Sequence, residues 1–325
     1  MKPFFPLFPN PHLATIAANF WPRRFEEWRY PVEAKLFTTE ADVRVLVHVQ
    51  RPRADQSPKG EVIIVHGLEG SSNSGYMLSL AQTLLDDGWT VHRTNIRTCG
   101  GTEFLCNTLY HAGLTSDLFS YIMDLDQKRR TPIYLVGFSL GANQVLKLAG
   151  ELGDTARRVL AGVCAISSPL DLRACSVSLQ EPKNRLLQYW YTSHMIRRLR
   201  LRKKALGDSL PWDGVAKFKT LYEIDHRVTA PAFGFNSADH YYHSQSAQSF
   251  VAKIDVPCLM IQAKDDPMIP FPIFEHPALR ANRNITVLAT EKGGHIGFIS
   301  RNLPRFWVDG VVCDWLNQLR NNRAG

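Results

Sequence analysis

Short, unbroken runs of β-branched and apolar residues recur along this chain, separated by segments with helical periodicity. The clearest runs are Val43–Val49, Glu61–Val65, Thr90–Asn95, Ile133–Gly137, Leu160–Ile166, Cys258–Ala263 and Ile285–Ala289. Helical patterns fall at Tyr76–Leu85, Ser116–Leu125, Leu140–Leu152, Pro272–Leu279 and Arg305–Leu319. Runs such as VIIV at 62–65 and IYLV at 133–136 suit a sheet covered on both faces, where neither side of a strand meets water. The alternation restricts the chain to an α/β architecture, a mostly parallel central sheet flanked by helices. At 325 residues it fits one large domain, taken as 1–325. The rhythm breaks between Ser167 and Pro257, where no convincing parallel-strand unit occurs. A structureless loop of that length is uncommon inside a compact domain, so a helical cap insertion is expected over 170–250.

Composition removes several classes. With 45% apolar residues, 17 Phe, 7 Trp and 10 Tyr, there is ample surface to bury, which excludes disorder. No stretch approaches the roughly 18 consecutive apolar residues of a membrane span. The start, MKPFFPLFPNPHLA, carries Pro3, Pro6, Pro9 and Pro11 and so lacks the unbroken apolar stretch of a signal peptide. The expectation is a cytoplasmic protein. Cys99, Cys106, Cys164, Cys175, Cys258 and Cys313 are scattered without a CxxC pair, so they read as buried thiols rather than a disulfide framework. A zinc site would need ligands clustered at short spacing. Neither a metal nor a cofactor is expected.

Lys and Arg total 38 against 30 Asp and Glu, an excess of eight. All of it lies in Lys183–Lys204, which holds Lys183, Arg185, Arg197, Arg198, Arg200, Arg202, Lys203 and Lys204 and no acid. One basic element, without a charged stripe over the domain or a reader motif, argues against nucleic-acid binding. Within Tyr189–Leu206 the bases interleave with Trp190, Ile196, Leu199, Leu201 and Leu206. One reading is a cap helix with a solvated basic face. The other is a cap that docks on an anionic lipid surface, placing the protein peripherally at the inner membrane surface. Arg200 and Arg202 interrupt the apolar face, so such binding would be electrostatic rather than inserted.

The chemistry is concentrated in four short motifs. Gly137-Phe138-Ser139-Leu140-Gly141 follows a strand and opens a helical run, the strand–turn–helix setting that a nucleophilic serine elbow requires. A glycine-rich turn with a serine N-cap is the plainer alternative. His66-Gly67-Leu68-Glu69-Gly70 ends the strand Glu61–Val65, where a second oxyanion amide commonly arises. The two amides would be those of Leu68 and Leu140. Asp265 and Asp266 follow the strand Cys258–Ala263, and either carboxylate could reach the elbow from there. Asp266 is preferred for the Met268-Ile269 pair and Pro270 that follow it. Among the 11 histidines only His295, in Gly293-Gly294-His295-Ile296-Gly297, has the chain order, loop and glycines of a mobile base.

These motifs, with Asn10-Pro11-His12-Leu13-Ala14-Thr15-Ile16, HGLEGSSNSGY at 66–76, Asn95–Gly101, LYHAGLTSD at 109–117, AKDDPMIP and GGHIGFI, resemble the AB hydrolase superfamily. Within it the chain is similar, nearly end to end, to the AB hydrolase 4 family with its bacterial YheT-like members. The resemblance implies an α/β-hydrolase fold and a triad of Ser139, Asp266 and His295. It also implies an esterase, lipase or acyltransferase activity on a small-molecule or lipid ester. A longer family pattern begins at Asp225, passes Gly234-Phe235 and Tyr241-Tyr242, and ends at Asp265-Asp266. His240 stands where that pattern usually has an acidic residue or threonine, a departure confined to the cap region that bears on substrate choice. The reading is therefore a serine ester hydrolase, with acyl transfer by the same groups as the near rival. A non-catalytic lipid- or protein-binding module is the distant one, disfavoured by an intact Ser139, Asp266 and His295.

Overall fold

The computed structural model describes residues 3–128, 131–206 and 214–324, with the side chains of Lys204, Ala205, Leu206 and Ala324 outside the described set. Strands β1 (Glu33–Glu40), β2 (Val43–Gln50), β3 (Glu61–Val65), β4 (Thr90–Thr94), β5 (Ile133–Phe138), β6 (Gly162–Ile166), β7 (Cys258–Ala263) and β8 (Ile285–Thr290) form one sheet. Its order is β1-β2-β4-β3-β5-β6-β7-β8. The β1–β2 and β2–β4 pairings are antiparallel, and every pairing from β4 to β8 is parallel.

Side chains of successive strand residues go to opposite cores. Val62, Ile64, Tyr134 and Val136 pack with α2 (Gly75–Asp86), and the same core takes residues of the helix Trp307–Ala324. Ile63, Val65 and Leu135 pack on the other face with α3 (Ser116–Lys128) and α4 (Leu140–Leu152). Each central strand is thus buried on both sides, which is why it reads as a continuous apolar run. Each fully buried Val, Leu or Ile contributes roughly 1.5–3 kcal/mol.

Three departures from the sequence pattern have local causes. β1 was not anticipated, because its sequence EAKLFTTE alternates between exposed and half-buried positions at a sheet edge and has no apolar run. Helix α1 (Pro11–Phe20) arises inside the proline-rich start. The Asn10 carboxamide accepts from the His12 and Leu13 amides at 3.0 and 3.1 Å, and Pro11 occupies the first turn, where its missing N–H costs nothing. The helix expected over Pro272–Leu279 is instead a 3-10 turn, Phe271–Glu275, and a short helix, Pro277–Ala281, divided before Pro277.

Between β6 and β7 the described residues contain helices and no strand. These are α5 (Leu172–Leu179), α6 (Arg185–Leu206), a helical run from Leu221 to Ala232 that widens to π geometry over Asp225–Thr229, and α7 (Ala238–Gln245). The final helix, α8, is Trp307–Ala324. On α6, Met195 and Leu199 pack with Leu109, Val215, Ile224 and Val228. The basic run does not form a uniformly solvated face. Arg197, Arg200 and Lys203 are exposed, but Arg198 and Arg202 are buried. The Arg202 guanidinium donates to the carbonyls of Glu103 and, at 2.9 Å, Thr108.

Candidate active site

β5 passes into α4 through Ser139, whose backbone lies at φ 51°, ψ −119°. An L-residue held there costs about 1–3 kcal/mol, so the surroundings must enforce it. The Ser139 amide donates to the Ile166 carbonyl at 2.8 Å. The flanking glycines are required by proximity. A Cβ on Gly137 would sit 2.4 Å from the Gly141 carbonyl oxygen, and one on Gly141 would sit 2.5 Å from the carbonyl oxygens of both Val65 and His66.

The imidazole of His295 joins Ser139 to Asp266. Its Nε2 is 2.9 Å from Ser139 Oγ and its Nδ1 is 2.8 Å from Asp266 Oδ2. A carboxylate only accepts, so the ring proton sits on Nδ1 and Nε2 accepts from the serine hydroxyl. Asp266 is itself fixed. Its Oδ1 accepts from the Met268 and Ile269 amides at 2.9 and 3.1 Å, and its Oδ2 also accepts from Gln262 Nε2 at 3.2 Å. The neighbouring Asp265 makes a different contact, accepting from the Gly294 amide at 3.0 Å and so holding the histidine loop. The His295 amide donates to Thr15 Oγ1 at 2.9 Å, tying the loop to α1.

The turn after β3 is braced from three directions. Burial pushes the His66 imidazole down to about 4, so it is neutral near pH 7. Its Nε2 accepts from the Ile96 amide at 3.0 Å, which leaves Nδ1–H to donate to the Gly67 carbonyl at 2.7 Å. The Tyr76 hydroxyl accepts from the Gly67 amide at 2.9 Å. Glu69, at φ 56°, accepts from the Tyr110 hydroxyl at 2.9 Å and pairs with Arg198 of α6. A Cβ on Gly67 would be 3.0 Å from Ser139 Cβ, so this turn lies directly against the elbow. Leu68 and Leu140 both line a cavity with Ser139. As the first residue of α4, Leu140 has one of the amides that a helix leaves without an internal partner.

Two cavities meet at Ser139. The outer cleft, about 570 Å³, includes His295, Tyr76, Ile16 and Phe20 of α1, and Tyr189 and Trp190 of α6. The inner one, about 110 Å³, lies under the helical segment and does not include His295.

All five residues singled out by sequence, Ser139, Asp266, His295, Leu68 and Leu140, fall at this one place. Sequence reasoning missed Thr15, Tyr76, Gln262 and the Glu69–Arg198 pair. Asn10-Pro11 is a readable helix start that could have drawn attention to α1 and Thr15. The pairing of Glu69 with a base 129 residues away has no local signal.

A family model described as the alpha/beta hydrolase fold matches residues 61–301. The chain is 29% identical over 315 residues to "Putative esterase YheT" of Escherichia coli strain K12, covering 95% of this chain and 91% of that protein. It is 27% identical over 253 residues to "Phospholipase ABHD3" of Mus musculus, covering 77% of this chain but only 61% of the phospholipase. Among solved structures, the Pyrococcus furiosus esterase Pf2001 superposes with a TM-score of 0.59 at 16% identity, covering 91% of this chain and 98% of the esterase. That likeness concerns the fold. With a mostly parallel eight-stranded sheet between two helical layers, and a family match across most of its length, the chain belongs to the alpha/beta hydrolase family.

Proposed function

We propose that this hydrolase cleaves carboxylic esters, acyl lipids among them, through Ser139, His295 and Asp266 and a covalent acyl-enzyme. The observation that carries this reading is the unbroken hydrogen-bonded chain from Ser139 Oγ through the imidazole to Asp266. Ser139 Oγ attacks the ester carbonyl as His295 Nε2 takes its proton. The carbonyl oxygen, now negative, is held by the amides of Leu68 and Leu140, the two leucines that line the cavity beside Ser139. His295 returns the proton to the departing alcohol, and water repeats the sequence to free the acid. Asp266 holds the imidazole in the required tautomer throughout. The helical segment over 170–250 serves as a cap on a single domain spanning 1–325. The names of the YheT and ABHD3 relatives, an esterase and a phospholipase, support ester or lipid substrates.

An alcohol entering in place of water would make the same groups an acyltransferase, and the 570 Å³ outer cleft has room for one. A binding module without turnover is disfavoured, because it needs neither the strained Ser139 backbone nor the oriented imidazole. A fluorophosphonate probe separates the readings. It should label the wild-type protein and not Ser139→Ala, and p-nitrophenyl esters should be hydrolysed only by the former. An unlabelled wild type that hydrolyses no ester would overturn the assignment.

The rim of the outer cleft carries exposed Phe20, Leu186 and Tyr189, the last two on the same helix as the exposed bases of α6. No described helix is long and apolar enough to cross a membrane. An anionic lipid surface is the partner this rim suits, with Arg197, Arg200 and Lys203 supplying attraction and the cleft mouth presented to esters in the interface.

A further inference from the structure

The two cavities at Ser139 differ in one feature that assigns them. In acyl transfer the bond between the carbonyl carbon and the alcohol oxygen breaks as that carbon becomes bonded to Ser139 Oγ. The departing oxygen takes its proton from the imidazole, so the alcohol must lie on the histidine side of the serine. His295 lines the 570 Å³ outer cleft and does not line the 110 Å³ inner cavity, while Ser139 lines both.

We infer that the inner cavity is the acyl pocket and the outer cleft the alcohol site, so that the enzyme selects esters of short acids with bulky alcohols. This rests on the ester-hydrolase reading above and adds its substrate class.

The walls fit an aliphatic chain. Leu172, Leu179, Met195, Met268 and Ile269 supply hydrocarbon around the cavity. Its tyrosine hydroxyls are already hydrogen-bonded. Tyr242 donates to Asp225 Oδ2 at 2.7 Å, the Tyr241 hydroxyl accepts from the Ala112 amide at 2.7 Å, and Tyr110 donates to Glu69 at 2.9 Å. Burial pushes the Asp225 carboxyl up to about 6, and the charge it keeps at neutral pH is hydrogen-bonded by the Tyr242 hydroxyl. The volume sets the length. A cavity of about 150 Å³ lined by aliphatic side chains accepts benzene, so 110 Å³ holds a chain of roughly four to six carbons. The outer cleft is about five times larger and accepts an aryl or glyceryl alcohol.

The test keeps the alcohol constant and varies the acid. With p-nitrophenyl esters from acetate to dodecanoate, kcat/KM should peak at butanoate to hexanoate and fall at least 50-fold by dodecanoate. Leu179→Ala, which lengthens the pocket, should raise the octanoate-to-butanoate ratio of kcat/KM at least tenfold. Ser176→Leu, which narrows it and leaves the packed core intact, should lower the hexanoate-to-acetate ratio by a similar factor, so the inference is tested even if Leu179→Ala does not fold. A butanoate series with alcohols from methanol to 2-naphthol should favour the bulkier alcohols, and that preference should not respond to either variant. An optimum at decanoate or longer, or acyl ratios unmoved by Ser176→Leu, overturns the pocket assignment while leaving the ester-hydrolase reading standing. No hydrolysis of any ester, with no fluorophosphonate labelling of Ser139, removes both.

Discussion

Arg198 Nη2 lies 2.8 Å from Glu69 Oε1, an ion pair whose two side chains are 7% and 5% exposed and which joins α6 to the turn that carries Leu68. The guanidinium also donates to Thr98 Oγ1 at 3.0 Å and lies 4.5 Å from the Tyr110 ring centroid. The helical segment is thereby fastened to the turn beside Ser139.

Removing one partner leaves the other buried without its counter-charge, which typically costs about 3–5 kcal/mol. Arg198→Met should therefore lower the unfolding free energy read from urea titration by that amount, with a lower midpoint, and slow ester turnover as the Leu68 turn loosens. The double variant Arg198→Met/Glu69→Gln should recover part of the stability. Equal midpoints for wild type and Arg198→Met would show that the pair carries no such strain.

Ser139 is held at positive φ with no glycine to ease it. Ser139→Gly should gain about 1 kcal/mol of stability by relieving the backbone, and Ser139→Ala should not. Both should lose turnover by on the order of a millionfold. Thermal unfolding of the two variants side by side separates backbone strain from side-chain loss. Equal midpoints for Gly and Ala would remove the strain argument.

Asp266 touches the imidazole and Asp265 touches the loop backbone. Asp266→Asn should lower kcat by about ten-thousandfold, as the corresponding exchange does in a serine protease, because the ring is left in the wrong tautomer. Asp265→Asn loses part of one hydrogen bond to the Gly294 amide and should cost far less. Measured kcat values in the reverse order would transfer the orienting role to Asp265.

That distinction shows how far local sequence reaches. The residues that follow Asp266 favour it over Asp265, and the sequence bounds α4 at Leu140–Leu152, because elbow, loop and helix start are short-range patterns. The central strands were legible for a related reason, since two-sided burial leaves an uninterrupted apolar run such as Val62–Val65. β1 was hidden because an edge strand with half-exposed positions has no such run. The fate of the bases was hidden for a different reason. Arg197 and Arg198 are identical residues one position apart, and only tertiary packing decides that one meets water and the other Glu69. Interleaved charge on a helix says nothing about which face a distant carboxylate will claim.

Asp309 on α8 is buried against Ser79, to which it is hydrogen-bonded, and near Arg23. Burial raises its carboxyl to about 6 despite both. The folded state therefore holds this proton more tightly than the unfolded chain does. Its contribution to stability is full below the unfolded value near 4 and is lost as pH rises through 6, a change on the order of 3 kcal/mol. Asp309→Asn cannot titrate. Urea unfolding at pH 4 and pH 7 should show wild type losing stability relative to the variant across that interval. A difference independent of pH would place the carboxyl near its ordinary value.

The exposed and buried bases of α6 should separate in vesicle binding. Each exposed Lys or Arg near an anionic membrane contributes about 1 kcal/mol, so Arg197, Arg200 and Lys203 together account for roughly a hundredfold in affinity. Cosedimentation with phosphatidylglycerol vesicles should be strong at low salt and fade as added salt shortens the screening length toward about 3 Å at 1 M. The triple variant Arg197→Gln/Arg200→Gln/Lys203→Gln should lose this binding and keep its melting temperature, because none of the three is buried. Arg202→Gln should instead lower the melting temperature, because the Glu103 and Thr108 carbonyls lose their donor. Vesicle binding that survives the triple variant at low salt would shift the contact to the apolar rim of Phe20, Leu186 and Tyr189. Absence of binding by the wild type would leave the exposed bases as a solvated face.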